Sequence, residues 1–183
     1  MPKALRHEQC AGLLRAVHSP VYRAVLAVMY GCGLRIGEAV KVRVGDVDKR
    51  RMVVRVVGKG NKERLAPLPA PLYADLRRMW TLHRHAQWLF GNQRGTNHVD
   101  AGTVRTAFNK ACVEAGIQEK VTPHCLRHSF ATRLIEQGVP AETVRILLGH
   151  ASIKTTQAYL HLTEAARKKL NDTAAGFCVP LFD

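Results

Sequence analysis

Apolar residues recur at helical spacing along most of the chain. In Val21–Tyr30, Tyr22, Val25, Leu26 and Met29 share one side, and Gly31-Cys32-Gly33 ends the run. A second short helix is expected from about Leu34 to Lys41. The period then changes. Met52–Val57 is β-branched and basic, Leu65–Leu68 is apolar again, and Gly58-Lys59-Gly60-Asn61-Lys62 lies between them. Two strands around glycine-rich turn chemistry predict a hairpin. Pro71 opens a helix carrying Leu72, Leu76 and Trp80, and His83–His98 reads as an irregular surface loop.

Four further helices follow. Asp100 is a candidate N-cap for a helix bearing Val104, Phe108 and Cys112, closed by Gly116. Thr122-Pro123 starts the next, with proline at its first position and Gly138 past its end. Ala141–Leu148 forms a short one ending at Gly149, and the last holds Tyr159 and runs to about Leu170. Residues 171–183 form a tail carrying Phe177, Val179, Leu181 and Phe182. The expected class is mainly α with a small antiparallel β-sheet (α+β), with one domain over residues 1–170.

Charge narrows the partners. Among 183 residues, 28 are Lys or Arg and 14 are Asp or Glu, a formal charge of +14. Such a surplus repels itself unless an anion neutralises it, and nucleic acid and acidic membrane are the common anions. No apolar run reaches the roughly 18 residues that a membrane span needs. The basic residues are also spread along the chain, which favours nucleic acid. The five cysteines are odd in number and contain no Cys-x-x-Cys pair, so neither a disulfide set nor a zinc site is indicated. A reducing, cytoplasmic setting is expected.

Two clusters carry candidate chemistry. His124, Arg127 and His128 fall at i, i+3 and i+4 on one helix face, with no acid before Glu136. They form either a solvated basic face or a site; a zincin reading is rejected because His-Glu-x-x-His is absent. Gly58–Lys62 is either a plain turn or a tip that presents a lysine to a phosphate. It is no P-loop, because it joins two strands.

Taken in order, these segments resemble the tyrosine recombinases of the Xer and phage-integrase branch. Gly33-Leu34-Arg35-Ile36-Gly37-Glu38 is similar to the first arginine motif, and Gly58–Arg64 to the lysine hairpin. His124-Cys125-Leu126-Arg127-His128 matches the H-x-x-R box, and Leu148-Gly149-His150 the LGH box. Thr155-Thr156-Gln157-Ala158-Tyr159 resembles the nucleophile segment, with Tyr159 nine positions after His150. The resemblance spans roughly Leu5 to Leu170.

It implies a catalytic domain that cleaves and rejoins DNA through a 3′-phosphotyrosine, without metal, ATP or other cofactor. Arg35 and Arg127 would hold the non-bridging oxygens, a task suited to planar, permanently charged guanidinium groups. Tyr159 would be the nucleophile and His124 its base, since a phenol of pKa about 10 needs help near neutrality. Lys59 would protonate the leaving 5′-oxygen, with Lys62 as the fallback. His150 would donate to the transition-state phosphate, and Glu38 would orient His124 or a basic neighbour. Lys62, Arg64, Arg105, Lys110 and Lys120 are expected on the DNA backbone, with double-stranded DNA as partner and self-association on it, dimer to tetramer, in the nucleoid. The family's N-terminal DNA-clamping domain is expected to be absent. The tail either docks on a neighbouring protomer or folds back on its own chain. An idle DNA-binding module and a type IB topoisomerase remain competing functions.

Overall fold

A computed structural model describes residues 4–149, 162 and 164–182; of Lys59 it describes the backbone. Helix α1 (His7–Arg15) precedes α2 (Pro20–Cys32), which is buried from Ala24 to Cys32 and forms the centre of the core. The short α3 (Ile36–Ala39) follows. Strands β1 (Val47–Asp48), β2 (Val53–Val57) and β3 (Glu63–Pro67) form an antiparallel sheet in the order β1-β2-β3. Then come α4 (Ala70–Trp80), α5 (Ala101–Glu114), α6 (His124–Glu136), α7 (Ala141–Leu147) and α8 (Glu164–Ala175). The mainly helical class with a small antiparallel sheet is what the periodicity predicts.

Local chemistry explains the boundaries. Ser19 caps α2 by accepting from the Tyr22 N–H at 3.4 Å, and Asp100 caps α5 by accepting from the Thr103 N–H at 2.8 Å. Pro123 has helical dihedrals (φ −51°, ψ −24°) and stands just ahead of α6. The hairpin pairs Val54 with Ala66 and Val56 with Arg64, all four facing inward, while Arg55 and Val57 face out. Helix α1 and strand β1 were not anticipated. The signal for α1 was present, because Cys10, Leu13 and Leu14 at i, i+3 and i+4 are its buried stripe.

The last helix, expected to end near Leu170, runs to Ala175. The apolar residues that follow take the second of the two courses left open and fold back on their own chain. Phe177 is buried against Tyr30 and Phe130, with ring centroids 5.7 and 6.1 Å away. Val179 and Leu181 are also buried. The Leu181 carbonyl accepts from Arg23 at 2.8 Å and its N–H donates to Asp75 at 2.9 Å. The apolar burial available in cis accounts for the placement. Phe182 lies under the Arg78 guanidinium, 4.4 Å from its ring centroid.

Candidate active site

The first arginine motif folds as a reversal that aims side chains into one cleft. Gly33 ends α2 at φ 70°, a left-handed conformation that suits glycine. A Cβ there would stand 2.6 Å from the Phe130 ring. Arg35 then starts α3 from an extended conformation, and Glu38, three residues on, turns back to it. The Glu38 carboxylate accepts from the Arg35 backbone N–H at 2.8 Å through Oε2, and from its guanidinium at 2.9 Å through Oε1.

Glu38 is 8% exposed, and two further arginines meet it. Arg64 of β3 donates from Nη2 to Oε2 at 2.7 Å, and Arg127 of α6 brings Nη1 within 3.6 Å of the same oxygen. Arg127 also donates from Nη1 to the Gly33 carbonyl at 2.7 Å and from Nη2 to the Leu148 carbonyl. Burial pushes the Glu38 carboxyl up, but Arg64, the Arg35 N–H and Arg127 outweigh it and leave it below its ordinary value. Burial also works against the charge on Arg64 and Arg127, helped in Arg127 by repulsion from Arg64 and Arg35; Glu38 opposes this in both without reversing it.

Above this floor opens a cleft of about 920 Å³. Arg35, Lys41, Lys62, Arg64, Arg105 and His124 line it, with Glu38 and Glu63 as the acids. Its surface therefore suits a polyanion. Burial lowers the His124 pKa, and Arg127, Arg35 and His128 lower it further, against a smaller opposing pull from Glu38. A neutral imidazole among cations can accept a proton.

Of the expected site residues, the fold brings together Arg35, Glu38, Lys62, Arg64, Arg105, His124 and Arg127. Lys110 and Lys120 are exposed and do not line the cleft. His150, Tyr159 and the Lys59 side chain lie outside the described residues. Glu38 meets basic neighbours, the second of its two anticipated roles. Arg64, expected on the DNA backbone, is 5% exposed and forms part of the cleft floor, bound to Glu38 at 2.7 Å and to the Leu147 carbonyl at 3.0 Å. Strand parity carried the signal, since Arg64 shares the inward face with Ala66. Lys41 was missed; it follows Glu38 by the same three-residue step that separates Glu38 from Arg35. Among the described residues, no helix is long and apolar enough to cross a membrane.

Comparison with known proteins agrees with this geometry. The phage integrase family model matches residues 3–166. The chain is 36% identical over 177 residues to the tyrosine recombinase XerD of Corynebacterium glutamicum, covering 89% of this chain and 58% of that protein. The XerA recombinase structure superposes with a TM-score of 0.74 at 29% identity, over 94% of this chain and 65% of that one. XerH in a post-cleavage complex with its difH substrate gives a TM-score of 0.72 at 25% identity, over 92% and 51%. The chain spans between 57% and 65% of the length of the first curated relatives it matches. With the motifs in order along one fold, the chain belongs to the phage integrase family and has the catalytic-domain fold of the Xer-like tyrosine recombinases.

Proposed function

We propose that this chain is the catalytic domain of a site-specific recombinase that cuts and rejoins double-stranded DNA through a 3′-phosphotyrosine on Tyr159. One observation carries the reading. Arg35, Arg64 and Arg127 converge on the buried Glu38 beneath a cleft walled by Lys41, Lys62, Arg105 and His124. A phosphodiester resists attack because its oxygens are negative, and prearranged cations relieve that charge as it grows in the transition state.

The chemistry balances with this chain's residues. The Tyr159 oxygen attacks phosphorus and gives its proton to His124. The bond from phosphorus to the 5′-oxygen breaks, and that oxygen takes a proton from Lys59. Arg35, Arg127 and His150 neutralise the non-bridging oxygens, and Glu38 orients the arginines. The phosphotyrosine conserves the bond, so a partner strand's 5′-hydroxyl reseals it. The positive side chains supply the charge stabilisation, so the reading calls for no metal or cofactor. Exchange between two duplexes needs several active sites, which places self-association, dimer to tetramer, on the DNA. The setting would be the cytoplasm, at the nucleoid.

Covalent trapping tests the reading. The protein is incubated with nicked suicide duplexes carrying candidate sites and run on a denaturing gel. A slow protein–DNA band in the wild type, absent in Tyr159→Phe, is the expected result. Tight binding without an adduct on any substrate would replace the reading with that of a DNA-binding module. Relaxed circles without exchanged junctions would mark a topoisomerase.

A further inference from the structure

We propose that Arg64 is a positioning residue for strand cleavage, acting through Glu38 to set the aim of Arg35; the inference rests on the recombinase reading of the same cleft. Arg64 is 5% exposed, and its guanidinium joins three separate parts of the site. Nη2 reaches Glu38 Oε2 at 2.7 Å, and Nη1 reaches the Leu147 carbonyl at the end of α7 at 3.0 Å. The side chain stands on β3, the strand that follows the lysine hairpin. Gly149 permits this packing, because a Cβ there would lie 2.9 Å from Arg64 Cδ. The hairpin, the first arginine motif and the residue before His150 therefore all meet at one side chain.

The link to Arg35 is the shared carboxylate. Glu38 Oε2 accepts from Arg64 and from the Arg35 backbone N–H, while Oε1 accepts from the Arg35 guanidinium. Arg127 stands 3.6 Å from Oε2 as a competitor. Without Arg64, the carboxylate loses its shortest partner on one side and keeps a full positive charge on the other. It then swings toward Arg127 and lets go of the Arg35 head group, which is 42% exposed and has no deep packing to hold it. Arg64 lies under the cleft surface, so its loss changes how the phosphate is held more than whether DNA binds.

The fork geometry matters as well as the charge. Lysine at position 64 can still pair with Glu38, but one ammonium cannot bridge the carboxylate and the Leu147 carbonyl as a planar guanidinium does. Arg64→Lys is thus the informative variant, because it keeps the buried charge balanced and the fold intact.

The experiment compares wild type, Arg64→Lys and Arg64→Met on suicide DNA under single-turnover conditions, with duplex affinity measured alongside. Cleavage is expected to slow about tenfold in Arg64→Lys and about a hundredfold in Arg64→Met, the range seen when groups that orient site residues are removed. Duplex affinity should stay within about twofold, because phosphate contacts at the surface supply it. A cleavage rate unchanged in both variants overturns the proposal, as does a loss of affinity that matches the loss of rate. A second readout does not need activity. With 15N-arginine labelling, the Arg35 guanidinium resonance should broaden or shift in Arg64→Lys. An unmoved resonance overturns the proposal even if no substrate is cleaved, whereas failure of the wild type alone to form an adduct counts against the recombinase reading.

Discussion

Arg127 donates a 2.7 Å hydrogen bond to the carbonyl of Gly33, joining residues 94 positions apart. The bond ties α6 to the reversal from which Arg35 departs, so Arg35 and Arg127 share one backbone anchor. Gly33 can serve because it has no Cβ: at φ 70° any side chain is strained, and a Cβ would press on Phe130 at 2.6 Å. Gly33→Ala is expected to cost about 2–4 kcal/mol, combining left-handed strain with overpacking. It should also slow cleavage by moving the anchor. Urea denaturation checks the first effect; a loss under about 0.5 kcal/mol, typical of an uninvolved surface site, would mean that the Phe130 ring yields freely.

Glu38 makes stability depend on acid. Its folded pKa lies below the ordinary 4.5, because Arg64, the Arg35 N–H and Arg127 together outweigh burial. A depressed carboxyl adds stability that is present above its unfolded value and is lost as pH falls through its lowered folded value. Glu38→Gln should therefore be less stable than wild type at neutral pH and should show a flatter decline below 4.5. At neutral pH the loss is expected near 3 kcal/mol, since Arg64 and Arg127 would be left buried without their acid. Denaturation midpoints from neutral pH downward test both parts. Parallel curves for the two proteins would mean that Glu38 is not the linked group.

Much of this site is readable from the chain. The i, i+3, i+4 spacing of His124, Arg127 and His128 and the glycines flanking Lys59 are local signals, and local spacing survives folding. What the residue types hid is burial. In a chain of charge +14, a basic residue beside a lysine tip resembles a surface phosphate contact. Arg64 is buried instead, because strand parity turns it inward and its acid partner lies 26 positions away, beyond the reach of local spacing. Lys41 carried a spacing signal, three residues after Glu38, but the observed α3 ends at Ala39, and a lone lysine in so basic a chain does not mark a cleft. The tail follows the same logic: Phe177, Val179 and Leu181 had to bury somewhere, and only tertiary packing against Tyr30 and Phe130 decided where.

That packing predicts a cis role for the tail. Phe177 is 1% exposed, and Arg133 lies 5.5 Å from its ring centroid. Phe177→Ala should destabilise the isolated chain by about 3–5 kcal/mol, the usual cost of emptying a buried aromatic site. Sedimentation without DNA should be unchanged. A tail that docks on a neighbour would give the opposite pattern, with altered association and undisturbed stability.

His124 should titrate below the ordinary imidazole value of 6.5 in the free protein, because burial and the charges of Arg127 and Arg35 disfavour its protonated form. It is then neutral near physiological pH and able to accept the phenol proton. Binding DNA brings phosphate into the cleft, and an anion favours the imidazolium. The His124 ring signal in NMR should accordingly move its midpoint upward when duplex is added. A midpoint at or above 6.5 before DNA is added would mean that the arginines do not face the ring.

Salt dependence can separate cations that meet DNA from those that only raise the net charge. Each phosphate neutralised on B-form DNA adds about 0.9 to the slope of log affinity against log salt. Lys41, Lys62 and Arg105 line the cleft, so each alanine variant should reduce the slope by about 1. Lys110 tests the geometry. It shares α5 with Arg105 but follows it by five residues, a rotation of roughly 140° around the helix. It carries the same unit of charge on a different face, and Lys110→Ala should change the slope by much less. Equal changes for Arg105 and Lys110 would mean that DNA wraps α5 from both sides, and the cleft alone would no longer define the contact.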